Sequence, residues 1–180
     1  RERFENQREV VLNERRQNYE NRPYGLALMA ITAALFPQDH PYHWLTIGAA
    51  DDIRAMRLED VQAFFRTYYH PSNASLALAG DIEAAAAFDL AERYFGELPA
   101  GSRPTPVRAT AAVEREIRLV LEDRVELPRV YMAWHSPAMF TPGDAEMDLV
   151  GDLLGNGKTS RLYRTLVYER RLALDVSAHQ

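Results

Sequence analysis

Cysteine is absent from the 180 residues, and lysine is almost absent, since Lys158 is the sole lysine. A chain without cysteine has no disulfide, no thiol nucleophile and no cysteine-ligated metal centre. The longest apolar run, residues 26–36, is interrupted by Thr32 and is far shorter than the roughly 20 residues of a membrane span. We therefore predict no membrane-spanning segment. The net charge of −5 argues against nucleic-acid binding, which needs a basic surface.

What is present is the composition of a globular protein, with 47% hydrophobic and 26% charged residues. The length suits one domain or parts of two. The chain starts inside a helical pattern and stops inside an alternating one. We therefore expect it to be a fragment of a longer protein.

The spacing of apolar residues switches between the helical and the strand period. Helical spacing predicts helices over residues 1–19, 24–36, 58–69, 83–95, 141–154 and 160–170. Short aliphatic or alternating runs predict strands over residues 75–79, 117–121, 130–134 and 172–176. Because helices and strands do not alternate strictly, the pattern favours an α+β fold.

Proline and small polar residues are concentrated between residues 98 and 113, where Pro99, Pro104 and Pro106 occur. Proline at this density keeps a chain extended and blocks helix formation. We predict an interdomain linker over residues 99–113, between a first domain of residues 1–98 and a second domain of residues 114–180.

Two patterns suggest ligand binding but are better explained by local structure. The run 157–160 (GKTS) lacks the preceding glycine of a phosphate-binding loop, since Asp152 occupies that position; we predict a helix stop followed by a serine or threonine cap. His40 and His43 lie in a proline-rich loop without an obvious third metal ligand, and we interpret them as turn residues.

Serine hydrolysis is unsupported, because no G-x-S-x-G motif occurs.

The first predicted helix carries several glutamates and the amide Gln7. Gln7 and Glu14 are two turns apart on one helical face, within about 20°. A carboxylate on a helix can ligate zinc when two histidines approach from elsewhere. Glutamate and arginine at such spacings are also ordinary on a solvated helix. The residues alone leave both interpretations of Glu14 open.

A series of short motifs resembles the M16 zinc peptidases, the family of pitrilysin, insulysin and the mitochondrial processing peptidase, and especially its short bacterial members. The most distinctive motif is NQREVVLNERRQ, residues 6–17, followed by NRPYG, residues 21–25. Further matches follow in the expected order at residues 40–42, 46–48, 64–73, 79–81, 95–99 and 155–162. The resemblance covers nearly the whole chain.

This resemblance implies paired domains, each a layer of helices on an antiparallel sheet. It also implies a zinc ion held by two histidines of an H-x-x-E-H motif and by a glutamate on a later helix, which falls at Glu14. The family's usual second glutamate falls at Gln7, an amide without the negative charge. No H-x-x-E-H occurs in the 180 residues. We therefore expect no catalytic residue in this chain and place the general-base glutamate upstream.

The function implied for the intact protein is a zinc-dependent metalloendopeptidase that hydrolyses peptides through a zinc-bound water. The fragment alone is expected to be inactive and not to hold zinc. The alternative is a non-catalytic M16-like partner subunit, which binds peptide or scaffolds an active peptidase in a homo- or heterodimer. The sequence leaves the compartment and the substrate preference open, with the periplasm favoured over the cytoplasm by the resemblance.

Overall fold

The computed structural model describes residues 2–180, in which helices are the regular structure. The α-helices are α1 (Glu2–Arg15), α2 (Ala27–Leu35), α3 (Ala50–Ala55), α4 (Leu58–Tyr68), α5 (Ala84–Phe95) and α6 (Asp144–Gly155). The remaining helical segments are two π-helical stretches, Arg16–Glu20 and Tyr163–Glu169, and two 3-10 turns, Pro41–His43 and Pro71–Asn73. Among residues 2–180 no helix is both long enough and apolar enough to cross a bilayer.

The helices predicted from apolar spacing are present, with shifted ends. The helix predicted over residues 1–19 is α1 continued by the first π-helical stretch, and the one predicted over 160–170 is mostly π-helical. The short helix α3 was not predicted. It begins with Asp51 and Asp52 in its first turn, where acidic side chains interact favourably with the positive end of the helix dipole.

The predicted strands are wrong for the part of the chain that the structure describes, because residues 75–79, 117–121, 130–134 and 172–176 are assigned to no strand. Their apolar side chains are largely exposed, with Val120 93% and Val130 83% accessible. A helix satisfies its own backbone hydrogen bonds, whereas a strand needs a second strand beside it. These segments lack such a pairing partner within residues 2–180, so the expected layer of antiparallel sheet is not supported.

The chain divides into two compact units. The first comprises Arg1–Ala111 and Ile117–Val130, and the second comprises Ala112–Glu116 and Tyr131–Gln180. In the first unit α1 contacts α3, and the buried apolar side chains include Leu12 of α1 and Ile53 of α3.

In the second unit, α6 lies against the chain's final residues. Gly151 and Gly155 face the backbone at His179 and Ala178, so closely that an added Cβ would collide at Gly155. The side-chain amide of Gln180 donates a hydrogen bond to the carboxylate of Asp144, at 2.7 Å. Glycine on this face of α6 therefore allows the close approach of the C-terminal stretch.

Candidate metal-ligand helix

Helix α1 ends at Arg15, one residue after Glu14, and the backbone then changes to the π-helical stretch Arg16–Glu20. The helix has acidic residues in its first turn and Arg15 in its last turn, an arrangement that matches the helix dipole. Single π-helical turns are uncommon and occur frequently at functional sites. The predicted ligand therefore lies at a marked change in backbone geometry.

One face of α1 is attached to the rest of its unit. Arg8, Leu12 and Arg15 are four and three residues apart, and such spacings place them on one side of the helix. Leu12 is 6% exposed. The Arg8 Nη1 donates to the carbonyl of Met56 at 3.4 Å, and the Arg15 Nε donates to the carbonyl of Gly48 at 3.1 Å. This face fixes the rotation of α1 about its own axis.

Gln7 directly precedes Arg8, and Glu14 directly precedes Arg15. Because successive residues of a helix point about 100° apart, Gln7 and Glu14 lie along a second edge of α1, turned by that angle from the attached face. Both residues are exposed. The neighbouring Asn13 and Arg16 are bonded to each other, at 2.7 Å. Within residues 2–180 the carboxylate of Glu14 has no hydrogen bond or ion pair. It is therefore free to accept a ligand.

The described residues do not form a complete metal site. No group of three or more His, Cys, Asp or Glu side chains in residues 2–180 could hold a metal ion, whereas a zinc site takes three or four protein ligands. An exposed, unpaired carboxylate such as Glu14 suits one ligand position of a site of this kind. The assignment of Glu14 stays a prediction.

The loop histidines stabilise their own turn. The Nδ1 of His40 accepts a hydrogen bond from the backbone N–H of Tyr42 at 3.0 Å. The Nδ1 of His43 lies 2.7 Å from the carbonyl oxygen of Phe36, so this nitrogen carries the proton and donates it. The Phe36 ring also lies 4.7 Å from the His40 ring, centroid to centroid. Their interpretation as turn residues is confirmed.

For the glycine-rich run after α6, the predicted helix stop is confirmed and the predicted serine or threonine cap is not. Gly157 has a φ of +78°, a left-handed conformation that ends a helix and favours glycine. The predicted cap is wrong, since the Oγ of Ser160 is buried and has no hydrogen-bond partner within residues 2–180. The carbonyl of Ser160 instead accepts from the backbone N–H of Arg164 at 3.0 Å.

The sequence did not predict a cluster of contacts around Tyr24. The Tyr24 backbone N–H donates to the carboxylate of Asp123 at 2.7 Å, and the Tyr24 hydroxyl donates to the carbonyl of Leu127 at 2.7 Å. The guanidinium carbon of Arg129 lies 4.2 Å from the centre of the Tyr24 ring. Asp123 is 99 positions from Tyr24, so no spacing rule could have linked the two.

Comparison with known families identifies this chain. The family model described as "Peptidase M16 inactive domain" matches residues 55–180, which is more than half of the chain. The chain belongs to the M16 peptidase family. The resemblance found in the sequence motifs is thereby confirmed, and the match runs across the predicted linker at 99–113, so the domain boundaries stay predictions.

Individual M16 relatives align with between 72% and 99% of the chain. The zinc protease PqqE of Helicobacter pylori is 33% identical over 179 residues, covering 96% of this chain and 40% of that protein. The mitochondrial-processing peptidase subunit beta of Caenorhabditis elegans is 27% identical over 130 residues, covering 72% of this chain and 27% of that subunit. A crystal structure of a protease from Helicobacter pylori superposes with a TM-score of 0.82 at 30% identity, covering 99% of this chain and 44% of that protein.

These comparisons show an M16 fold and homology to proteins named as zinc proteases. The chain spans 40% of the length of the curated protease named above. Glu14 lies outside the segment that matches the inactive domain, which begins at residue 55.

Proposed function

We propose that this chain is a non-catalytic part of an M16 zinc metalloendopeptidase and that Glu14 is one of the zinc ligands of the intact protein. The observation that carries this proposal is the exposed carboxylate of Glu14, unpaired within residues 2–180, on a helix whose other face is fixed to the body of the unit. A rigid helix keeps a ligand in place, and an unpaired carboxylate needs no existing ion pair to be broken.

Two comparisons support the assignment. A relative that aligns with 96% of this chain is named a zinc protease. The segment described as the inactive domain starts at residue 55, so Glu14 falls in the part of the chain that precedes it. A ligand at Glu14 is compatible with a zinc-bearing first domain, whose predicted boundary at residue 98 lies within the matched segment.

In the intact protein, zinc would supply a Lewis acid and activate water for attack on a peptide carbonyl. Within this chain, Glu14 would hold the zinc ion as one of its ligands. Gln7, two turns earlier on the same edge, offers a neutral amide, which can accept or donate a hydrogen bond but adds no negative charge. The histidine ligands and the general-base glutamate are assigned to residues outside this chain. The proposed substrate is a peptide. We also assign the protein to the periplasm, and cell fractionation with a tagged full-length protein tests this location.

The second candidate function is that of a non-catalytic partner subunit, in a homo- or heterodimer, that binds peptide or scaffolds an active peptidase. Two observations favour it: the matched domain is described as inactive, and one relative is named as a subunit of the mitochondrial-processing peptidase. A partner of this kind has no requirement for a ligand at Glu14, so the zinc content of the full-length protein separates the two functions.

The test is the substitution Glu14→Gln in the full-length protein. Replacing the carboxylate by an amide removes an anionic ligand while keeping its size, and we expect the bound zinc and the peptidase activity both to fall to background. Zinc is measured by elemental analysis of the purified protein and activity by cleavage of an unfolded peptide.

Glu9→Gln is the matched control, because Glu9 is an exposed glutamate of the same helix that the proposal does not use. We expect this variant to keep its zinc and its activity. Stoichiometric zinc and full activity in Glu14→Gln contradict the assignment. A full-length protein that has no zinc before any substitution supports the partner-subunit function instead.

A further inference from the structure

Arg15 directly follows Glu14, and its side chain is largely enclosed, with 15% of its surface accessible. Its Nε donates to the carbonyl of Gly48 at 3.1 Å. Its Nη2 lies 3.7 Å from the sulfur of Met29 on α2, and its Nη1 forms an ion pair with Glu20 in the π-helical stretch. Arginine is rarely buried without such partners, so the fold holds this side chain at three points.

These contacts attach the last turn of α1 to three neighbouring parts of the same unit. The helix does not end freely here, because α1 continues without a break into the π-helical stretch Arg16–Glu20. Successive residues of a helix point about 100° apart. With Arg15 held against the unit, the backbone at Glu14 cannot turn about the helix axis without breaking the contacts of Arg15, so the side chain of Glu14 leaves the helix along the exposed edge.

We propose that Arg15 is the positioning residue for Glu14. It holds the last turn of α1 so that the carboxylate is presented at one fixed place to a metal ion, whose other ligands lie outside this chain. Arg15 touches neither the metal nor the substrate and acts through the helix backbone. The inference rests on the proposed function of Glu14. Groups that are hydrogen-bonded directly to metal ligands commonly contribute about 10- to 100-fold to metal affinity, and Arg15 orients Glu14 in the same sense through the helix backbone.

The experiment measures the zinc dissociation constant of the full-length protein by competition with a chromophoric chelator, together with the melting temperature of the zinc-free form. Arg15→Met keeps an unbranched side chain but removes every donor and the charge. We expect it to raise the dissociation constant about tenfold or more. Arg15→Lys keeps one donor for the carbonyl of Gly48, and we expect it to recover part of the affinity.

Arg3→Met is the matched control, because Arg3 is an exposed arginine of the same helix; its zinc affinity should equal that of the parent. A second readout separates positioning from ligation. Saturating zinc should restore the peptidase kcat of Arg15→Met, which retains the ligand, and should leave Glu14→Gln inactive.

An unchanged zinc dissociation constant in Arg15→Met, accompanied by a lower melting temperature of the zinc-free form, would show a purely stabilising contact and overturn the inference. If Glu14→Gln loses zinc while Arg15→Met binds it normally, the positioning role alone is wrong. If Glu14→Gln also binds zinc normally, the proposed function itself fails.

Should Arg15→Met not fold, Glu20→Gln provides the same test. It removes the ion-pair partner of Arg15 and leaves the bond to Gly48. The inference requires zinc binding in this variant to be weaker by a few-fold, and an equal affinity overturns it.

Discussion

At the residue scale, Tyr24 shows how a contact between distant residues can impose an unfavourable backbone conformation. Its φ is +60°, in the left-handed region that non-glycine residues seldom adopt. The bonds to Asp123 and Leu127 and the guanidinium of Arg129 over the ring hold it there. The segment containing residues 123–129 is thereby tied to the turn between the first π-helical stretch and α2.

We predict that Tyr24→Phe in the full-length protein lowers the free energy of unfolding by about 1 kcal/mol, the usual contribution of one hydrogen bond. The ring and its contact with Arg129 stay in this variant, and only the hydroxyl bond to Leu127 is lost. Urea denaturation followed by circular dichroism measures the change. Tyr42→Phe is the control, because Tyr42 is 67% exposed, and we expect it to have no effect. Equal stability of the two variants would show that the Leu127 bond contributes nothing.

At the scale of elements, apolar spacing located every α-helix of the described residues except the short α3, because the hydrogen bonds of a helix join residues close in sequence. The pattern of α4, with Val61, Phe64, Phe65 and Tyr68 at helical intervals, is sufficient to identify it. The strands were a different case. The alternation at residues 117–121 and 130–134 indicates a preference for extended backbone. Whether a sheet forms depends also on a second strand beside each segment, and the local pattern does not specify one.

The predicted linker, residues 99–113, gives a test at this scale. The stretch has no regular secondary structure, and Arg108 within it is exposed. We predict that trypsin cuts the full-length native protein after Arg108 before it cuts after any arginine of α1, because proteases need an extended and accessible backbone. Mass spectrometry of the first fragments identifies the site, and Arg108→Gln should abolish that cut. Early cleavage within α1 with Arg108 intact would show that residues 99–113 are protected.

At the scale of the whole molecule, each of the two compact units leaves large apolar side chains exposed. Large apolar side chains such as Phe88, Val130 and Phe140 are 76%, 83% and 93% exposed. Large apolar side chains exposed in such number are typical of surface that further protein covers.

We therefore predict that the isolated 180-residue chain binds the dye ANS and unfolds without a sharp cooperative transition, since it buries too little apolar surface to offset the loss of chain entropy. Fluorescence titration and calorimetry measure the two properties. The full-length protein is the comparison and should melt cooperatively without binding the dye. A sharp calorimetric transition in the isolated chain would contradict this expectation.

The sequence by itself determined the positions of the main helices, the edge shared by Gln7 and Glu14, and the membership of the M16 family, because each depends on residues close in the chain or on ordered motifs. The tertiary structure decided that Glu14 is exposed and unpaired within residues 2–180, that Arg15 is enclosed by Gly48, Met29 and Glu20, and that Tyr24 meets Asp123. These features depend on contacts between distant residues, and local spacing carries no information about which distant residues will meet.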